Sequence, residues 1–190
     1  MSLDAIKATF QASIDTKTLL VNDIERLEAL LEVAGVASST LKAGHKMMLC
    51  GNGGSAADSQ HIAAELIGRF EKERQSMAAI ALTTDTSALT AIGNDYGYDQ
   101  VFSRQVEGLG QSGDLLIGIS TSGNSKNVVK AMQVAKSKGI RTVALVGDKP
   151  EGAMQAIADY VLAAPSTNTA RIQECHILML HPLRQLAEAD

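Results

Sequence analysis

Apolar and polar positions follow two different periods along this chain. Up to about residue 43 the period is helical. Ile6, Phe10 and Ile14 recur every four residues, and Ile24, Leu27, Leu30 and Leu31 repeat at the same kind of spacing. No strand-like run separates the two patterns, so the chain opens with a helical pair. From Lys46 onward short apolar runs take over. Lys46–Cys50, Ala78–Leu82, Leu115–Ile119, Thr142–Val146 and the weaker Tyr160-Val161-Leu162 read as buried strands. Helical patterns lie between them: from the glycine-rich stretch at 51–54 through Arg69, and from Asp85 to about Ile92. Two more run from Asn127 to Lys138, with Val128, Val129, Met132 and Ala135 on one face, and from about Asn168 to Ala187. Strands alternating with helices predict an α/β fold, with a mainly parallel sheet covered on both faces. There is no low-complexity linker and no repeat of solenoid length. One domain over residues 1–190 is the economical expectation, with 1–43 as a helical preface and 44–190 as the α/β core. Such a preface often serves as an oligomer interface.

Composition narrows the classes. A chain of 190 residues, 45% of them apolar, can bury a sizeable single core. A formal charge of −4 leaves no basic footprint for nucleic acid. No apolar run approaches the roughly 20 residues that a membrane span needs. Met1-Ser2-Leu3-Asp4 lacks the basic start of a signal peptide, and a cytoplasmic location is expected. Cys50 and Cys175 are far apart and lack metal-type spacing, so they read as free buried thiols in a reducing compartment.

The chemistry sits on the turns that follow strands. Ser120-Thr121-Ser122-Gly123-Asn124-Ser125 places four hydroxyls and a glycine between a strand end and a helix start. Free N–H groups at a helix N-terminus attract phosphate, and hydroxyls add neutral donors. Gly51-Asn52-Gly53-Gly54-Ser55 repeats that logic after the first strand. It has neither the G-x-G-x-x-G spacing of dinucleotide sites nor the Gly-Lys-Ser/Thr of a P-loop. Two such turns in one sheet point to a sugar-phosphate cleft. His61 and Glu65, four residues apart, share a helix face. They suit two metal ligands, a ligand and a base, or a simple hydrogen-bonded pair. On the last helix Gln173 and His181, eight residues apart, share a face, while His176 lies off it and reads as structural or exposed. His61, Glu65, Gln173 and His181 would make a mixed N/O site for zinc or a similar divalent ion. The alternative is a packing helix with stray polar residues. Gly93-Asn94-Asp95-Tyr96-Gly97 reads as a turn, although Asn94 and Asp95 also suit sugar hydroxyls.

Together, Asn52-Gly-Gly-Ser55, His61-x-x-x-Glu65, Gly93-Asn-Asp95, Ser120–Ser125, and Arg171-Ile-Gln-Glu174 followed by His181 resemble the phosphoheptose isomerases. These are proteins of the sugar-isomerase (SIS) fold, and the resemblance covers essentially the whole chain. It implies a single SIS domain with a flavodoxin-like (Rossmann-like) five-stranded parallel sheet. It implies an aldose–ketose isomerase that takes sedoheptulose 7-phosphate to D-glycero-D-manno-heptose 7-phosphate through an enediol, at the start of ADP-heptose synthesis for lipopolysaccharide. By the same resemblance Ser120, Thr121, Ser122 and Ser125 hold the phosphate. Asn52, Gly53, Gly54, Ser55, Asn94 and Asp95 line the sugar site, with Glu65 and Gln173. His61, Glu65, Gln173 and His181 hold zinc, and Glu65 and His181 move protons. A cytoplasmic homotetramer with active sites between subunits is implied as well. Two positions depart from the pattern: Ala170, where some members carry an acid, and Pro182, which predicts a kink directly after His181. Two other readings compete: a non-catalytic tetrameric SIS scaffold that binds the replication initiator, and an isomerase or sensor for another phosphosugar. Retention of the two histidines, Glu65 and Gln173 argues against the scaffold.

Overall fold

Both N-terminal helices form where the periodicity places them. A computed structural model of the chain describes residues 2–68, 75–149 and 151–187. Helix α1 (Leu3–Val21) starts at Ser2, whose hydroxyl accepts from the Ala5 N–H. Helix α2 (Ile24–Lys42) starts at Asp23, whose carboxylate accepts from the Arg26 N–H. The remaining strands and helices are β1 (Met47–Gly51), α3 (Gly54–Ile67), β2 (Ala79–Ala81), α4 (Thr86–Tyr96), α5 (Ser103–Leu109), β3 (Leu115–Ile119), α6 (Lys126–Ser137), β4 (Arg141–Val146), β5 (Tyr160–Ala163) and α7 (Thr169–Ala187).

The strands form one sheet in the order β2-β1-β3-β4-β5, and every pairing is parallel. Alternate residues of each strand serve two cores. Met47 and Leu49 pack with α2, α3 and α7 on one face, while Met48 and Cys50 pack with α5 and α6 on the other. Both cysteines are free and buried, as expected. Strand order reverses between β1 and β3, and Gly51 pairs in register with Ile119. The glycine turn and the serine turn therefore leave the sheet side by side, at the switch point where parallel α/β sheets take ligands.

The structure departs from the sequence reading in three places. The helix expected to end near Ile92 continues to Tyr96, so Gly93, Asn94 and Asp95 form its last turn rather than a loop. The Asp85 cap on Ala88 and the packing of Leu89 and Ile92 outweigh the weak helix preference of those three residues. A 3₁₀ turn at Tyr98–Gln100 and α5 then fill a stretch the sequence pattern left blank. Third, helix α3 ends at Ile67; the Arg69 expected at its end lies outside the described residues. Helix α7 runs on through Pro182, although that residue offers no N–H to the Leu178 carbonyl.

His176 is structural and fully buried rather than exposed. Its Nε2 lies 3.0 Å from the Val146 carbonyl at the end of β4. A carbonyl only accepts, so Nε2 carries the hydrogen. Burial pushes its pKa down to about 4, against a smaller upward pull from that bond. The unfolded chain therefore binds the extra proton between about pH 6.5 and 4, and folding stability falls as pH drops through that window. Replacing His176 with Gln should flatten this part of the stability–pH curve, measured by urea unfolding at pH 7 and pH 4.5. An unchanged curve would contradict the assignment.

Candidate functional site

The site is built outward from Gly51. A Cβ on this residue would come within 2.7 Å of Ser55 Cβ and 3.0 Å of the Ile119 carbonyl. Only glycine lets α3 begin this close to the neighbouring strand. Gly51→Ala should therefore lower unfolding free energy by about 1–3 kcal/mol, read from denaturant midpoints; an unchanged midpoint would show that the turn has slack.

Asn52 follows, and its amide forms a reciprocal pair with Asn127 on the first turn of α6. Asn52 Nδ2 donates to Asn127 Oδ1 at 2.9 Å, and Asn127 Nδ2 donates to Asn52 Oδ1 at 2.8 Å. Tyr98 Oη also donates to Asn52 Oδ1, at 3.2 Å, which ties the chain just beyond α4 to the same turn. Asn94 and Asp95, on that exposed last turn, are bonded to each other. Asn127 is buried and holds the two turns together, yet the sequence reading passed over it. Its only sequence signal was its place two residues after the serine motif.

The serine turn is knit through its own hydroxyls. Ser120 Oγ lies 2.8 Å from Ser125 Oγ and 3.2 Å from Ser122 Oγ. Gly123 holds φ +68, a backbone region that favours glycine. Met154 N–H donates to its carbonyl, and Ala153 N–H donates to Asn124 Oδ1, so the segment after β4 braces the turn. Ser125 stands at the N-cap of α6 but makes no capping bond. Its hydroxyl turns toward Ser120, leaving the helix end to an anion. Thr121 and Ser122 lie on the open side, while Ser55 is buried at the start of α3.

Deeper along α3 lies a second group. His61 Nε2 is 3.1 Å and His181 Nε2 4.0 Å from Glu65 Oε1. The two imidazoles meet edge to face, with ring centroids 5.6 Å apart. One donor atom from each of His61, Glu65 and His181 lies within 4.8 Å of the others. Two imidazoles and a carboxylate are a donor set that fits zinc, so the trio can hold a metal ion. The His61 side chain is 52% exposed and that of Glu65 only 9%. Asp58, one turn before His61, is buried, and burial pushes its carboxyl up while His61 pulls it down. The structure places Gln173 elsewhere: its amide covers Gly54, where a Cβ would overlap it. Helices α3 and α7 thus run in parallel register, with Gln173 at the level of the glycine turn. Glu65 lies eleven residues beyond Gly54, about 16 Å along the helix axis.

Two turns fit for an anion thus meet at the sheet's switch point, and α3, which starts at one of them, carries two members of a His–Glu–His group that can hold a metal and move protons. Comparisons with known proteins give the family. The model of the SIS domain family matches residues 14–147. A phosphoheptose isomerase of Akkermansia muciniphila is 57% identical over 159 residues, 84% of each chain. Solved phosphoheptose isomerases from Neisseria gonorrhoeae and Francisella tularensis superpose with TM-scores of 0.90 and 0.94, at 45% and 39% identity. The first covers 97% of both chains, and the second covers 99% of this one and 98% of the other.

Proposed function

Because this chain belongs to the phosphoheptose isomerases of the SIS-domain family, and is thereby a sugar-phosphate isomerase, we propose that its reaction is the interconversion of sedoheptulose 7-phosphate and D-glycero-D-manno-heptose 7-phosphate. The observation that carries the reading is the arrangement of Glu65, with Oε1 between two imidazoles in a largely buried position. An aldose–ketose isomerisation needs one base that serves two neighbouring carbons and one group that serves their oxygens. Glu65 takes the proton from C1 of the ketose and returns it to C2, and His181 relays the proton between the oxygens. Ser120, Thr121, Ser122 and Ser125, with the free end of α6, hold the phosphate and so fix the reacting end. Asn52, Gly53, Gly54, Ser55, Asn94, Asp95 and Gln173 line the sugar.

His61, Glu65 and His181 hold zinc, while Gln173 lies over Gly54, about 12 Å before His181 along α7 and beyond the reach of a side-chain swing. Bound there, zinc supplies Lewis acidity toward a sugar oxygen. Two observations support a homotetramer with sites between subunits. Leu3, Ile6, Phe10 and Ile14 form an exposed apolar stripe on α1, with Phe10 66% exposed. In addition, the glycine turn and Glu65 lie about three helical turns apart in one chain. The place of the reaction is the cytoplasm, at the head of ADP-heptose supply for lipopolysaccharide. Among the described residues no helix is long and apolar enough to cross a membrane.

Incubation with sedoheptulose 7-phosphate, followed by chromatographic separation of the sugar phosphates, tests the reading. An aldoheptose phosphate should accumulate to equilibrium. Unchanged ketose over folded, zinc-supplied protein would overturn it.

A further inference from the structure

The two oxygens of Glu65 face different neighbours. Oε1 faces His61 and His181, whereas Oε2 lies 3.1 Å from Nε of Arg184. Arg184 is 0% exposed, the bulkiest of the fully buried side chains among the described residues. Its position, four residues after Leu180 and next to Leu183, is one that an apolar residue would fill by packing alone, since both leucines are fully buried. A guanidinium keeps its charge in proteins, and a buried charge is costly unless an anion compensates it. Packing therefore does not account for an arginine here, whereas the carboxylate beside it does.

A carboxylate held at neither oxygen is free to rotate and to chelate a metal through both. A guanidinium charge beside one oxygen, here an ion pair without hydrogen-bond alignment, draws that oxygen toward itself and leaves the other to its own partners. We propose that Arg184 is a positioning residue for Glu65. It occupies Oε2, so Glu65 works through Oε1 alone, in the gap between His61 and His181, and its fixed charge keeps a divalent ion there from binding more tightly. The inference rests on the isomerase reading of Glu65, and its test separates the two.

Arg184→Lys and Arg184→Gln would be compared with the wild type for kcat, KM and zinc affinity, the last by competition with a chromogenic chelator. Lysine keeps the charge, and with it the fold, but not the planar fork. Arg184→Lys should lose about tenfold in kcat with KM within about threefold of wild type. Arg184→Gln should lose about 100-fold in kcat while binding zinc about tenfold more tightly, because a positive charge beside the ion's carboxylate ligand is removed. A purely structural arginine would lower melting temperature without this split between kcat and KM. A wild-type kcat in folded Arg184→Lys would overturn the proposal. A wild-type protein that binds zinc but does not isomerise would instead overturn the isomerase reading, and the zinc shift in Arg184→Gln would still report on Arg184.

Discussion

Glu65→Gln should reduce kcat by about 10³- to 10⁴-fold, the range associated with losing a positioned general base. The substitution keeps shape and length, so the helix and the sheet should persist. It removes the negative charge between the two imidazoles and the buried guanidinium. A carboxamide cannot take a proton from carbon near neutral pH, and it is a weak ligand for zinc. Stability should also fall, by about 3 kcal/mol, because buried Arg184 loses the carboxylate beside it. That second effect has its own control. In Glu65→Gln/Arg184→Met the buried guanidinium is removed as well, so part of the stability should recover while turnover stays absent. Steady-state kinetics and urea unfolding of the three proteins provide both readouts. Turnover near wild type in Glu65→Gln would remove the carboxylate from the mechanism.

The second large effect belongs to the phosphate turn. Ser120→Ala/Ser122→Ala/Ser125→Ala should raise KM by at least about 100-fold, since each hydroxyl-to-phosphate bond contributes about 1.5–3 kcal/mol. The single variants should each lose much less than a third of this in free energy. The three hydroxyls bond to one another around Ser120, so the remaining two can close over a gap. Some of the loss should appear in kcat too, because a loosely held phosphate aligns the reacting carbons poorly. Inorganic phosphate should inhibit the wild type competitively and the triple variant hardly at all. An unchanged KM in the triple variant would place the phosphate elsewhere.

The sheet and most of its helices were legible because short apolar runs and helical periods are local signals. The two motif turns were legible for the same reason: each is a contiguous run of unusual residues following a strand. What escaped the sequence reading was set by distance in the chain. The Asn52–Asn127 pair joins residues 75 positions apart, and nothing local in either asparagine announces it. Arg184 falls inside the last helical pattern, but nothing local marks it as buried. Its burial follows from its place four residues after Leu180 on the inward face of α7. The stripe of Ile6, Phe10 and Ile14 was correctly helical, but periodicity reveals which face is apolar, not what covers it. Gly93-Asn94-Asp95 misled in the opposite way. Residues typical of turns were carried into a helix by an upstream cap and by packing. The His61–Glu65–His181 grouping needed both helix spacing and family resemblance, since no sequence pattern states that α3 and α7 lie in parallel register.

The central claim is that this chain moves a carbon-bound proton between C1 and C2 of a heptose phosphate. An NMR time course with sedoheptulose 7-phosphate in deuterated water, with and without added zinc, tests it most directly. The account predicts the aldoheptose phosphate with deuterium at C2, exchange at C1 of the remaining ketose, and neither in Glu65→Gln. Folded, zinc-supplied wild-type protein that yields no aldose and no deuterium at either carbon would contradict it.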